Sequence, residues 1–224
     1  MESKFESARI GNGIYTAKDA ALIFKIPYSK ANYWFNWYLK KGKFNIDYQY
    51  HFAIRDKTAV NFLTLIEMYV FYTFKENGVK TKNILEAHNI LSKQFQTPYP
   101  FAQEDYYISG KNIYVTNQDQ IVSADKKLQF VSSEALIPYS KKINFGNDKL
   151  AHKFFPLETS KNIVVDPKHQ FGQPTISGTN ILAATIYDWH LGKEEDNFIA
   201  ELYNISLESV RDAVKFCTPH KVAA

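Results

Sequence analysis

Apolar positions along this chain switch repeatedly between helical and strand spacing, and each switch predicts a new element. From Tyr15 the sequence runs Thr16-Ala17-Lys18-Asp19 into Ala20, Ala21, Ile23 and Phe24. Thr16 followed by an acid at Asp19 predicts a capping box opening a helix, and Lys25-Ile26-Pro27 predicts its end. A second helix is expected from Tyr28-Ser29, with Ala31, Trp34, Phe35 and Tyr38 at i, i+3, i+4 and i+7 as its apolar face. Its other face carries Lys30, Asn32, Tyr33, Asn36, Trp37 and Lys40. Phe44, Ile46, Tyr48, Tyr50 and Phe52 then alternate, as a strand or wing does.

Helical spacing returns at Phe62, Leu65, Ile66, Tyr69 and Val70, ending at Gly78, a plausible residue for closing a helix. It continues at Ile84, His88, Leu91 and Phe95 until Pro98 and Pro100. The first of these helices is apolar nearly all round, which suits either a dimerisation surface or an ordinary core. Short β-type runs follow. Tyr106-Tyr107-Ile108 and Ile113-Tyr114-Val115 flank Ser109-Gly110-Lys111-Asn112 as a hairpin, with further runs at 120–123 and 128–132. A helix is expected over Ser133 to Ile143, interrupted by Pro138.

Near the C-terminus a short apolar run, Ile163 to Val165, stops at Asp166-Pro167. Gly172, Pro174 and Gly178 punctuate a short extended segment, Pro174 to Thr179, and helices follow. Phe198, Ile199 and Leu202 form one stripe; Val210, Ala213, Val214 and Cys217 form the next. Between them Tyr203-Asn204-Ile205-Ser206 is a turn, with Ser206 placed to cap the final helix. This is a second helix-turn-helix pattern.

Charge separates the two ends. The 224 residues carry a net +4, but residues 1–60 hold ten Lys/Arg against five Asp/Glu, and residues 193–224 hold four against six. No acid lies between Ala20 and Ile46, where Lys25, Lys30, Lys40, Lys41 and Lys43 fall. Phosphate binding is driven by such cations, so the expected DNA-facing end is the N-terminal one. Asn can read adenine by a bidentate contact, whereas Tyr and Lys mainly serve phosphates. The single cysteine, Cys217, excludes an internal disulfide and suits a reducing compartment. With no basic-then-apolar leader and no apolar run long enough to span a bilayer, a cytoplasmic location without a membrane is expected.

Catalytic signatures are missing: no Walker loop, no G-x-G-x-x-G, no G-x-S-x-G and no H-E-x-x-H. The six histidines share no metal-ligand spacing. Asp166 beside His169 reads as turn chemistry at a strand end, and Glu194-Glu195-Asp196 as acids favoured at a helix N-terminus. The chain is expected to be no enzyme, with no catalytic residues, cofactor or metal.

Val165-Asp166-Pro167, Gly172-Gln173-Pro174, Gly178-Thr179-Asn180 and Val210-Arg211-Asp212-Ala213-Val214 together resemble a small domain of VapB-like antitoxins. Genes for those antitoxins neighbour genes for PIN-like ribonuclease toxins. Asn180 departs from the family's usual arginine after Gly-Thr. The stretch Tyr15 to Phe35 resembles the start of MerR-like and excisionase-like winged helices, whose second helix enters the major groove. The arginine common early in that helix in MerR proteins is missing here.

The resulting expectation is an α+β, mainly helical fold. It comprises a winged helix-turn-helix over 1–58, a helical hairpin over 59–100, a small β-rich middle over 101–158, and a strand plus helix-turn-helix over 159–224. The resemblance implies a homodimeric antitoxin that binds operator DNA and neutralises a PIN-like ribonuclease toxin. Expected DNA contacts are Tyr28, Ser29, Lys30, Asn32, Tyr33, Asn36, Lys40, Lys41 and Lys43. Ile176, Ile181, Phe198, Leu202, Val210 and Val214 are expected at a dimer or partner interface. The alternatives are a stand-alone MerR-like regulator with a ligand- or partner-sensing C-terminal domain, and a pure protein-interaction module.

Overall fold

A computed structural model describes residues 12–40, 51–54, 57–103, 106–109, 112–117, 120–123, 137–158 and 161–219. The first strand, β1 (Tyr15–Thr16), leads directly into α1 (Ala17–Phe24) and then α2 (Tyr28–Lys40). The capping box is present: Thr16 Oγ1 accepts from Asp19 N, and Asp19 accepts from Thr16 N at 2.8 Å. Strands β2 (His51–Ile54) and β3 (Lys57–Val60) pair antiparallel, and β3 also pairs with β1, in the order β1-β3-β2. The expected alternation over 44–50 lies outside the described residues; its last part, 51–54, is strand.

Helix α3 (Phe62–Glu76) is the centre of the larger core. Its all-round apolar character has the core explanation, since Leu65, Ile66, Val70, Phe71 and Phe74 are each 1% exposed or less. Asn61 caps it through Thr64 N at 2.8 Å, and Gly78, at φ +81°, turns the chain toward α4 (Thr81–Gln94). Of the two acids in α3, Glu76 ends the helix and Glu67, in its middle, is fully buried. A buried carboxylate is tolerated only when its oxygens are bonded. Here Glu67 Oε2 meets His88 Nε2 of α4 at 2.9 Å, and Oε1 accepts from the backbone of Phe101 and Ala102. This pair ties α3, α4 and the 3₁₀ turn Pro100–Ala102 together.

The middle holds β4 (Tyr106–Ser109), β5 (Asn112–Asn117), β6 (Gln120–Ser123) and β7 (Ile137–Pro138), ordered β6-β5-β4-β7. The expected hairpin is there, with Tyr107 opposite Tyr114. The helix expected over 133–143 is not found in its described part. Residues 137–138 form the edge strand, 139–142 a 3₁₀ turn, and Ile143–Phe145 a strand, β8, paired with β9 (Ala151–Phe154). Pro138 is accommodated because an edge strand needs no donor on its open side.

A second, separate core forms the C-terminal region. Strands β10 (Ile163–Val164) and β11 (Thr175–Ile176) pair antiparallel, and helices α5 (Ala183–Leu191), α6 (Asp196–Tyr203) and α7 (Leu207–Cys217) pack on them around Ile186, Ile199, Val210, Ala213 and Phe216. Ser206 caps α7, accepting from Ser209 N at 3.1 Å. Asp212, 4% exposed, accepts from Asn162 N at 3.0 Å and Nδ2 at 2.9 Å, which pins the start of β10 to α7. No described helix is long and apolar enough to cross a membrane.

Candidate nucleic-acid and partner surfaces

Lys25, in the left-handed conformation at φ 58°, ends α1, and Pro27 lets α2 begin at once. Ala31 and Phe35 of α2 are buried. Trp34 is half-buried, its ring 5.3 Å from Phe71. Trp37, expected on the outer face, is only 8% exposed. Its ring lies 5.6 Å from Trp34 and 5.0 Å from Phe71, so aromatic packing against α3 widens the buried stripe.

The remaining face of α2 is open. Tyr28 and Tyr33 are 58% and 59% exposed, and Ser29 and Asn32 are exposed beside them. Asn36 is half-buried and donates from Nδ2 to Asn32 O at 2.9 Å and to Asn32 Oδ1 at 3.3 Å, which engages the oxygen of the Asn32 amide. Lys30 turns sideways. Its ammonium contacts Glu76 Oε1 at 2.9 Å and stands 4.8 Å from the centre of the Tyr72 ring. The bond to Glu76 raises its pKa. Lys40 ends α2, but its side chain, like Lys41 and Lys43, lies outside the described residues.

Lys25 does something the sequence did not disclose. Its ammonium donates to the carbonyls of Phe216 and, at 3.3 Å, Thr218, and sits 4.9 Å from the centre of the Phe216 ring. These carbonyls end α7, where the helix dipole favours a cation. Burial lowers the Lys25 pKa. The α1–α2 turn is thereby fastened to the last turn of the C-terminal region.

The six residues expected at a partner interface divide. Ile176 and Val210 are buried in the second core, and Ile181 and Val214 are half-buried. Phe198 and Leu202 are 46% and 50% exposed. The stripe expected on α6 is split, because only Ile199 is buried. Phe198 continues outward onto Trp189 of α5, with ring centres 6.4 Å apart, and the Trp189 indole donates to Tyr203 Oη at 2.8 Å. Glu194, Glu195 and Glu201, close to it in sequence, are exposed.

Asp166, which ends the strand segment between the two cores, is 5% exposed. It accepts from Lys168 N at 2.9 Å and meets His169 Nδ1 at 3.1 Å and Lys153 Nζ at 3.4 Å. The turn reading of Asp166 and His169 accounts for this geometry. Burial pushes the carboxyl pKa up, but the Lys168 amide, His169 and Lys153 outweigh it and hold the pKa below the ordinary value. Lys153, Asp166 and Lys168, with Asn61, Tyr99 and His152, line a cavity of about 370 Å³. Among the described residues no three His, Cys, Asp or Glu side chains are grouped to hold a metal ion.

Residues 163–217 match the family described as "Protein of unknown function (DUF433)". Over 166 residues, 68% of this chain and 69% of the relative, the chain is 24% identical to a protein of Mycobacterium tuberculosis (strain ATCC 25618 / H37Rv) named "Putative antitoxin VapB45". The fold resembles the X-ray crystal structure of Rv2018 from Mycobacterium tuberculosis, with a TM-score of 0.63 and 20% identity, covering 89% of this chain and 96% of that one. The chain thus has a DUF433 region at its C-terminal end, is distantly similar to a protein carrying an antitoxin name, and shares the fold of Rv2018.

Proposed function

We propose that this protein is an antitoxin of a type II toxin–antitoxin pair, binding the operator of its own genes and neutralising a PIN-like ribonuclease. The observation that carries the DNA half of this reading is the open row Tyr28, Ser29, Asn32 and Tyr33 on α2, and the antiparallel pair β2–β3 that follows it in sequence would serve as the wing. Asn32 is the base reader, its amide already oriented by Asn36. Tyr28, Ser29 and Tyr33 contact backbone, and Lys40, Lys41 and Lys43 neutralise phosphates. With Lys25 bound to the end of α7 and Lys30 paired at the surface with Glu76, more of the phosphate load falls on those three later lysines. A homodimer would present two such helices to half-sites about one helical turn apart. The toxin half rests on the distant similarity to an antitoxin-named relative.

Two measurements test this. A gel shift with the upstream DNA of the gene should show Asn32→Ala/Tyr33→Ala binding at least about tenfold more weakly than the unsubstituted chain, since a bidentate base contact is worth about 1–3 kcal/mol. Undiminished binding would rule out α2 as the reader. Co-expression with the neighbouring gene's product should yield a complex and abolish its ribonuclease activity. The 370 Å³ cavity favours a second reading, a stand-alone regulator that senses a small molecule. That reading predicts DNA binding without any co-purifying nuclease.

A further inference from the structure

The outer side of α5 and α6 gathers apolar surface that the fold does not use. Trp189, Leu191, Phe198 and Leu202 are 36%, 60%, 46% and 50% exposed, all within one short stretch. Large apolar residues scattered singly over a surface need no explanation, but three of these are grouped. Phe198 and Leu202 lie four positions apart on α6 and so share one side of it. Trp189 of α5 meets Phe198 edge-on, with ring centres 6.4 Å apart. Its indole N–H is already bonded to Tyr203 Oη at 2.8 Å, which fixes the ring and leaves its open part apolar. Folding does not depend on this side, since α6 is anchored through Ile199, the one residue of the helix that is buried.

Charge around this face is mostly of one sign. Residues 189–203 hold Glu194, Glu195, Asp196 and Glu201 against a single lysine, Lys193. Asp196 is met by His190 Nδ1 at 3.1 Å, whereas the three glutamates are exposed and have no ion-pair partner among the described residues. Glu194 N donates to Trp189 O at 3.3 Å, which sets that residue against Trp189. Glu201 follows Phe198 by three positions and Glu195, the N-cap, precedes it by three, so both lie within one turn of it on the same side of α6.

We infer that this face binds a protein segment whose apolar side chains are flanked by lysines or arginines. The glutamates exclude the other occupants by a single argument. A second copy docked through the same face would set glutamate against glutamate, because a two-fold contact uses one patch twice. Nucleic-acid phosphates and anionic lipid headgroups meet the same repulsion. A basic segment is instead drawn to the glutamates while its apolar groups cover Phe198, Leu202 and the rigid Trp189, a residue type that carries much of the energy at protein contacts. The inference deepens the antitoxin reading and rests on it for the owner of the segment, the nuclease.

The test uses the full chain carrying Phe198→Ser/Leu202→Ser or Glu194→Lys/Glu201→Lys, all at exposed positions, so both variants should melt with the parent. Titration calorimetry against the neighbouring gene's product should show the serine pair binding at least about thirtyfold more weakly. The lysine pair should bind about tenfold more weakly in dilute buffer, with the deficit shrinking as salt is added. Both should shift operator DNA as the parent does. Nuclease binding that survives either pair would overturn the inference and leave the antitoxin reading intact. So would light scattering in which the serine pair splits a dimer of the chain alone into monomers. Should the unsubstituted chain not bind the nuclease, the antitoxin reading fails, and a synthetic amphipathic peptide of leucine and lysine decides the inference. Trp189 is the one exposed tryptophan of the three, so its emission should move to the blue as that peptide binds, and a leucine–glutamate counterpart should leave it unchanged. No shift with the lysine peptide, or the same shift with both, would overturn the inference.

Discussion

In the α1–α2 pair the lysines closest to the turn are held by other parts of the chain, Lys25 by the end of α7 and Lys30, at the surface, by Glu76. In the α6–α7 pair apolar side chains face outward, with Phe198 and Leu202 about half exposed beside Trp189. The two units share a turn closed by a left-handed residue, Lys25 in one and Asn204 in the other, yet each uses its side chains against the tendency of its composition. Summed charge along a segment therefore does not say which face is basic. A lysine near a helix C-terminus is withdrawn from the surface, and one beside an acid has its charge offset there. An aromatic on a helix that needs just one anchor, Ile199, is left in solvent.

The sharpest way to break this contrast is within α6 itself. Ile199→Ala should lower unfolding free energy by about 2–4 kcal/mol through the cavity it leaves, whereas Phe198→Ser should stay within about 0.5 kcal/mol. Urea unfolding reads both. Equal losses would mean that Phe198 is part of the core and the outward face is illusory.

The junction between the two regions offers the next effect. Asp166→Asn weakens bonds to a charged acceptor and should cost about 2 kcal/mol at neutral pH. Because the folded-state pKa of Asp166 is depressed, its contribution is complete above the unfolded carboxyl value and disappears as pH falls through the folded value. Stability curves of the two proteins should therefore converge on acidification below about pH 4. Parallel curves down to acid unfolding would show that the carboxylate charge is irrelevant there.

The smallest effect compares the two caps directly. Thr16→Ala and Ser206→Ala should each cost about 1 kcal/mol. The first should lose slightly more, because Thr16 and Asp19 bond reciprocally. Thermal melts of the two single variants decide the order.

What could be read from the sequence was local. The Thr16–Asp19 box, the Pro27 break, the Ser206 cap and the 106–115 hairpin all depend on residues a few positions apart; of the α7 stripe, Val210 and Ala213 are buried, Val214 and Cys217 half-buried, and the fully buried Phe216 was not expected. What stayed hidden depends on distant partners. Trp37 went to the wrong face because its neighbour Phe71 belongs to α3. The ion pair of Lys30 with Glu76 joins positions 46 apart and leaves no periodic trace. Glu67 carried a faint signal, a lone acid inside an apolar helix, but its partners His88 and Phe101 became visible only once α3 and α4 had packed. Over 137–145 the chain alternates short strands with a 3₁₀ turn, and neither period is long enough to be told from a broken helix.

Lys25 grips main-chain oxygens, and main-chain oxygens are the same whatever side chains a helix bears. The back of the molecule is thus free to vary its surface residues without loosening its hold on the front, provided α7 keeps its length. Losing a single helical turn there would carry the carbonyls about 5 Å out of reach.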